Sequence, residues 1–317
     1  MSKVAEPHLL MSGTAKAALL LGLCASAWSP WGACQAAALR FCDRPAALSA
    51  GQQDTLFRFG AIVKEALDAS GQGVALIARS GLDLSRFGMR YSHAGFSLKA
   101  SPNSPWSVRQ LYYACDEQKP RIYDQGLAGF LLGSDAPDIG YLSVVFVPAA
   151  AAAELERAAL DDRQALALLG PAYSANAYPF SLRYQNCNQW VMELLAAAWG
   201  RRGDAADAEA ARAGAQGWLV DQGYVPSVVD VGHRPLMWAG AFIPLLHNDD
   251  HPAEDLARNT YRVSMPASIE AFVQARVPGA TRIEFCHNGR QVVVRQGWGL
   301  IPQGCRPEAQ DSVIALD

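Results

Sequence analysis

The chain has 317 residues, of which 50% are hydrophobic and 18% are charged, an ordinary globular composition sufficient for one large domain or two small ones. Its formal net charge is -3 and it contains no basic run, so the sequence gives no electrostatic support for nucleic-acid binding. The phosphate-binding loop, the dinucleotide fingerprint and the serine elbow are absent from the sequence, and we expect no cofactor.

Residues 1–38 have the order of an export signal. Lys3 and Lys16 precede an apolar run at 17–25, and small residues at 36–38 follow at a plausible cleavage distance. The apolar run is too short to span a membrane, and a buried N-terminal helix is the alternative. The pattern therefore predicts a periplasmic or secreted protein without a transmembrane anchor after cleavage of the signal.

The cysteines indicate an oxidising compartment. Cys24 and Cys34 lie in the predicted leader, where their surroundings fit lipoprotein processing poorly. The five that remain are Cys42, Cys115, Cys187, Cys286 and Cys305. This number is odd, so two disulfides would leave one thiol to explain. Cys286 and Cys305 flank a predicted hairpin and are the first candidates for a bond, after which Cys42 would pair with Cys115. A disulfide from Cys187 to Cys42 or Cys115 is the alternative.

Periodicity and breaker residues predict a mixed α and β chain. The predicted helices cover 52–70, 149–169, 187–199 and 205–222, and the predicted strands cover 73–79, 92–98, 107–113, 121–124 and 140–148. Beyond Gly223 prolines and glycines become more frequent and the pattern weakens. We therefore divide the mature chain into a domain over 39–245 and a C-terminal extension with a hairpin over 246–317.

Cys187 is the first residue of the predicted helix over 187–199. Apolar side chains on one face of this helix recur at Cys187, Trp190, Val191, Leu194 and Leu195. A thiol at a helix N-terminus meets the positive end of the helix dipole, which lowers its pKa and favours the reactive thiolate. Backbone N–H groups at the same place can bind an oxyanion. The alternative is a small buried hydrophobic residue, because cysteines outside disulfides are commonly buried.

His93 is the candidate base for this thiol. It lies on an alternating strand, where Ala94 and Gly95 leave room for another element to approach. Pairing Leu98 with Ser107 across the turn would place His93 opposite Tyr112 and diagonal to Gln110. Gln110 is therefore the candidate residue that orients the imidazole, with Tyr112 as second choice, and a solvent-facing strand position is the alternative for Gln110.

One further segment resembles a metal site. His247 and His251 lie four positions apart, the spacing of two zinc ligands on a helix. Asp249 and Asp250 lie between them and Pro252 follows, which is more typical of a loop and a helix cap. No third ligand with suitable spacing is present in the sequence, so we predict no metal site.

The ordered motifs resemble the circularly permuted branch of the NlpC/P60 superfamily of papain-like folds. The matching segments are Ala75-Leu76-Ile77-Ala78-Arg79, Ser92-His93-Ala94-Gly95-Phe96, Gln110 and Asn186-Cys187-Asn188. His93 precedes Cys187 by 94 positions, as the permuted order requires. Residues 123–127 and 185–189 are also similar to a bacterial family, domain of unknown function 2145. The resemblance covers about residues 40–245. The third position departs from the superfamily pattern, where His or Glu is more usual than Gln.

This resemblance implies an α+β fold in which the helix bearing Cys187 packs on an antiparallel sheet bearing His93 and Gln110. It also implies a cysteine hydrolase or acyltransferase that acts on an amide or ester of the cell envelope, either a peptide, a muropeptide or a lipid. Asn186 and Tyr184 would assist the oxyanion. The sequence also makes Tyr91, Tyr184 and Trp190 candidates to line an apolar cleft, with a place in the core as the more common alternative for aromatic residues at these spacings. The alternative is a non-catalytic envelope module that binds a ligand on the same scaffold.

Overall fold

The computed structural model describes residues 48–133, 136–200, 207–240 and 243–316. The predicted signal peptide and Cys42 lie outside these ranges. The helices are α1 (Ala50–Ala69), α2 (Leu127–Leu132), α3 (Ala149–Leu160), α4 (Asp162–Ala167), α5 (Cys187–Trp199), α6 (Ala208–Asp221), α7 (Arg234–Gly240), α8 (Ala253–Ala257) and α9 (Pro266–Arg276). The strands are β1 (Val74–Arg79), β2 (His93–Leu98), β3 (Ser107–Ala114), β4 (Lys119–Gln125), β5 (Gly140–Phe146), β6 (Ser227–Asp230), β7 (Thr260–Val263), β8 (Thr281–His287), β9 (Gln291–Gln296) and β10 (Ser312–Ala315).

Eight of these strands form one antiparallel sheet in the order β10-β9-β8-β5-β1-β2-β3-β4. The central strands β1 and β5 are buried along their whole length, as their continuous apolar sequences predict. The edge strand β10 is exposed along its whole length, and the other edge strand, β4, alternates between exposed and partly buried residues, with Pro120 buried. β6 and β7 form a separate two-stranded sheet. The protein is therefore an α+β molecule built on a large antiparallel sheet.

Helices cover both faces of the large sheet. Alternate side chains of β1 and β2, such as Leu76 and Phe96, pack with α3, α5, α6 and α9 in one core cluster. The intervening side chains of β1, such as Ile77, pack with α1 and α2 in a second cluster. Within the described ranges, no helix is long and apolar enough to cross a membrane.

The hairpin of β2 and β3 has the predicted register. Leu98 pairs with Ser107, as the turn between them indicated. Gly95 is required at the centre of this hairpin, because a Cβ there would lie 2.8 Å from the carbonyl oxygen of Arg109. Gly95 lies opposite Gln110 in this register, so His93 and Gln110 lie on the same face of the sheet.

The predicted single helix over 149–169 is wrong, because the segment forms two helices, α3 and α4. Asp161 lies between them with an extended backbone (ψ 105°). Its carboxylate accepts hydrogen bonds from the backbone N–H groups of Arg163 and Gln164 at 2.9 and 3.3 Å. A short acidic side chain that bonds the backbone in this way ends one helix and begins the next.

The C-terminal strands complete the sheet. β8 pairs with β5 over seven residue pairs, so the segment that we assigned to an extension is hydrogen-bonded into the same sheet as β1. β8 and β9 form the predicted hairpin. The predicted disulfide between Cys286 and Cys305 is confirmed. Cys115 is also disulfide-bonded, and Cys42, its predicted partner, lies outside the described residues.

Candidate functional site

The start of α5 is fixed by Asn186, the residue before Cys187. Asn186 has an extended backbone, and its side-chain oxygen accepts from the N–H of Gln189 at 2.7 Å. This N-cap places Cys187 at the first helical position, with 6% of its surface exposed. Cys187 carries a reduced thiol. The side-chain N–H₂ of Asn186 points to the carbonyl oxygens of Ala175 and Ser264, at 3.3 and 3.5 Å, so both ends of this side chain have structural roles.

A buried ion pair holds the loop that leads into Cys187. Glu193, two turns along α5, accepts from the guanidinium of Arg212 at 2.8 Å, and both side chains are almost fully buried. Gln185 and Gln216 donate to the same carboxylate at 2.6 and 2.8 Å. Arg212 also donates to the carbonyl oxygen of Leu182 at 2.8 Å. The segment before Cys187 is thereby tied to both α5 and α6.

His93 begins β2 and is half-buried. Its Nε2 lies 2.5 Å from Oε1 of Gln110, which is 1% exposed. The Nε2 of Gln110 in turn donates to Oε1 of Gln125 at 2.7 Å. Gln125 is the last residue of β4 and is a diagonal neighbour of Gln110, because Val108 pairs with Gln125 in the β3–β4 ladder. Three polar side chains therefore form a hydrogen-bonded row across β2, β3 and β4.

Helix α5, which begins at Cys187, contacts the start of strand β2, which begins at His93. Nδ2 of Asn188 donates to the carbonyl oxygen of Ser92 at 3.1 Å, so the residue after Cys187 is bonded to the residue before His93. Ala94 joins the core cluster that contains Cys187. The His93 ring lies on the other side of the strand, and its centroid is 5.9 Å from that of Phe130. His93 is the first residue of β2, and the bond from Asn188 ties the residue before it to the first turn of α5.

Comparison with protein families matches residues 66–273 to a family described as an uncharacterized protein conserved in bacteria (DUF2145). The chain belongs to this family. Comparison with curated proteins and with solved structures gives no match. The DUF2145 match contains His93, Gln110 and Cys187, and it ends before β8.

Tyr91 lies within the DUF2145 match but is bound to a strand beyond it. Its hydroxyl donates to Glu284 of β8 and accepts from Arg282 at 3.0 Å. Arg90 donates to the same carboxylate at 2.7 Å. Burial, together with the adjacent Glu284 carboxylate, raises the pKa of Tyr91 well above its usual value. With 4% of its surface exposed, Tyr91 supports the strand that carries His93 and does not line an open cleft.

The side chain of Tyr184 packs against the loop of residues 247–251. Its ring stacks on His247 with centroids 4.3 Å apart, and its hydroxyl lies 3.4 Å from Asp249. His251 is buried, and its Nε2 donates to the carbonyl oxygen of Asn176 at 2.7 Å. The two histidines therefore have different surroundings. Among the described residues, no cluster of three or more histidine, cysteine or acidic side chains is arranged for a metal ion.

Two features of the site, Gln125 and Glu193, do not follow from the sequence patterns described above. The contact of Gln125 with Gln110 depends on the β3–β4 register, and the predicted strand over 121–124 ends one residue before Gln125. Glu193 carries one signal, a charge inside an otherwise apolar helix, which predicts a buried partner. Tyr112, our second choice to orient His93, packs edge-on against Tyr123, with ring centroids 5.1 Å apart.

Proposed function

We propose that this DUF2145 protein is an exported cysteine hydrolase or acyltransferase of the cell envelope, with a papain-like site of the permuted NlpC/P60 kind. The observation that carries the proposal is the hydrogen bond between His93 and Gln110, in a strand whose start is bonded to the first turn of the helix that Cys187 opens. A nucleophile, a base and a group that orients the base are the three parts of such a site.

The chemistry follows from these positions. The thiol proton of Cys187 passes to Nδ1 of His93, since Nε2 is engaged by Gln110. The thiolate attacks a carbonyl carbon, and first-turn N–H groups of α5 stabilise the oxyanion. His93 then protonates the amine or alcohol that leaves. Water or a second acceptor attacks the resulting thioester, which releases the acyl group and restores the thiol.

We predicted that the Asn186 side chain assists the oxyanion, but in this proposal the first-turn backbone N–H groups of α5 do so without it. The Asn186 oxygen holds Gln189 N–H and its nitrogen faces two carbonyl oxygens. The substrate is an amide or ester of the envelope, such as a peptide, a muropeptide or a lipid ester. The export signal expected from the sequence and the disulfide between Cys286 and Cys305 are both compatible with an envelope location.

A second candidate function is a non-catalytic binding module on the same scaffold. The burial of Cys187, at 6% exposure, favours this candidate, because a buried thiol in apolar surroundings is commonly inert. The two candidates differ in the reactivity of the thiol near neutral pH.

The experiment is the rate of iodoacetamide labelling of Cys187 against pH in the mature protein. Among the described residues Cys187 is the thiol outside disulfides, so its labelling can be followed by mass mapping. We expect the rate to titrate well below about pH 8.5, the usual value for a thiol, because His93 and the helix N-terminus favour the thiolate. His93→Ala should move the titration upward.

The matched control is His233→Ala, which removes an exposed histidine. It should leave the labelling profile unchanged. A thiol that stays unreactive, or that labels identically in wild type and His93→Ala, would eliminate the hydrolase and favour the binding module. A positive result would be followed by assays of muropeptides and lipid esters with Cys187→Ala as the inactive reference.

A further inference from the structure

The hydrogen-bonded row of His93, Gln110 and Gln125 can be arranged in two ways. They differ in the orientation of the Gln110 amide and in which nitrogen of the His93 ring carries the proton. A glutamine amide presents an acceptor at Oε1 and a donor at Nε2, and the neutral imidazole Nε2 is either a donor or an acceptor. If Gln110 turned its amide around, its N–H₂ would face His93 and the ring proton would move to Nδ1. In that state Nδ1 could not accept the thiol proton. The orientation of one buried amide therefore decides whether the proposed base is competent.

We infer that Gln125 is the positioning residue that fixes this orientation. Its Oε1 accepts from Nε2 of Gln110 at 2.7 Å, which leaves Oε1 of Gln110 to face Nε2 of His93. Gln110 is 1% exposed, so water cannot replace either partner at low cost. Gln125 acts on the ring through Gln110. This inference deepens the proposed function and rests on it.

The position of Gln125 is itself constrained. It is the last residue of β4, and Gly126 directly after it is the N-cap of α2. On the first turn of α2, Gly129 faces the Gln125 side chain: a Cβ at Gly129 would lie 3.0 Å from its Cγ and 3.1 Å from its Nε2. Gly129 is inside a helix, where alanine would otherwise be the better residue. The glycine therefore leaves the space in which the Gln125 amide lies.

The test uses variants of Gln125 that can only accept or only donate. In Gln125→Glu the new carboxylate accepts from Gln110 as the native amide oxygen does, so His93 should keep its proton on Nε2. In Gln125→Lys the new ammonium group only donates, which should turn the Gln110 amide and move the proton to Nδ1. Gln125→Leu removes the partner and should give a mixture of the two tautomers. Nitrogen-15 NMR of labelled histidine, recorded above the pH at which His93 titrates, reads the tautomer directly.

The second readout is iodoacetamide labelling of Cys187. Gln125→Lys should lower the rate at neutral pH by about tenfold or more, because a ring that carries its proton on Nδ1 cannot take the thiol proton. Gln125→Leu should lower it less, because part of the rings keep the competent tautomer, and Gln125→Glu should keep the rate near that of wild type. Gly129→Ala should act like a mild Gln125→Leu, although alanine favours the helix. The control Gln296→Leu replaces an exposed glutamine that also ends a strand, and should change neither readout.

Each result has one meaning. A wild-type tautomer in both Gln125→Leu and Gln125→Lys, with thermal melts showing folded protein, would overturn the role of Gln125. The role of Gln125 would be established if the proton moves to Nδ1 in Gln125→Lys and stays on Nε2 in Gln125→Glu. This holds even if a variant is less stable, because a loss of stability does not by itself move the proton from one ring nitrogen to the other. If the tautomer follows Gln125 but His93→Ala leaves the labelling of Cys187 unchanged, the positioning role stands and the proposed hydrolase fails.

Discussion

His287 is a buried histidine outside the candidate site, and it makes the free energy of unfolding depend on pH. It lies at the start of the β5–β8 ladder opposite Gly140, with its ring centroid 4.8 Å from that of Phe59 and 1% of its surface exposed. Burial lowers the pKa of His287 to about 4, and the nearby Asp138 only partly opposes this. The folded state therefore keeps His287 neutral at a pH where the unfolded chain is protonated.

We predict that acid destabilises the protein through His287. Between about pH 6.5 and pH 4 the unfolded state binds a proton that the folded state does not, so the free energy of unfolding falls as the pH falls. At about 1.36 kcal/mol per pH unit, the full effect is about 3 kcal/mol. Urea unfolding of wild type and His287→Phe at several pH values measures the difference. The variant should lose this part of the pH dependence, and parallel curves for the two proteins would contradict the prediction.

At the scale of elements, the ion pair between Glu193 of α5 and Arg212 of α6 should contribute more to the free energy of unfolding than a surface ion pair does. Arg212 is 2% exposed, and within the described ranges its guanidinium is the positive charge that pairs with the Glu193 carboxylate. Arg212→Met should cost about 3–5 kcal/mol, because it leaves a buried carboxylate without its counter-ion. The double variant Arg212→Met with Glu193→Gln should recover much of this loss, since both charges are then gone. Urea unfolding measures all three proteins.

The surface pair of Lys64 and Asp68 on α1 is the comparison for this prediction. Both side chains are more than 40% exposed, and the pair spans one helical turn at 2.6 Å. Lys64→Met should lower the free energy of unfolding much less than Arg212→Met does, because solvent screens an exposed ion pair. Equal effects at the two pairs, or no recovery in the double variant of α5 and α6, would show that the Glu193 network does not hold these helices together.

Elements with strong local signals were predictable from sequence. Helix α5 has the predicted bounds, 187–199, because Asn186 caps it and Gly200 follows its last residue. The β2–β3 register was predictable because a proline-containing turn joins two adjacent strands. The break at Asp161 was not, because the surrounding alanine- and leucine-rich sequence favours helix throughout, and the decision depends on one side chain bonding the backbone.

In the candidate site, too, only the contacts that depend on a local hairpin register were predictable from sequence. The contact of His93 with Gln110 followed from a hairpin register, whereas the contact of Gln110 with Gln125 needs the register of the next strand pair, which the sequence leaves open. The approach of Asn188 to Ser92 joins residues 96 positions apart. The bond between Tyr91 and Glu284 joins residues 193 positions apart. Local periodicity carries no signal for pairs at such separations.

At the scale of the whole molecule, the sheet extends past the region that matches DUF2145. The match ends at residue 273, while β8 begins at Thr281 and covers the full length of β5. β8 also carries Glu284, whose carboxylate holds Arg90 and Tyr91 and accepts from the backbone N–H of Ile301 at 2.6 Å. The C-terminal strands therefore support the segment that leads directly into His93.

We predict that the chain needs these strands to fold. A protein ending at residue 280 would expose β5, whose seven residues are all buried, as an unpaired edge, and would leave Arg90 and Tyr91 without Glu284. It should aggregate or lack a cooperative unfolding transition. A protein ending at residue 311 loses only the exposed edge strand β10 and keeps Asp311, which pairs with Arg295 at 2.7 Å. It should unfold cooperatively with a small loss of stability. Circular dichroism and urea unfolding compare the two, and cooperative unfolding of the shorter protein at the wild-type midpoint would mean that residues up to 280 fold by themselves.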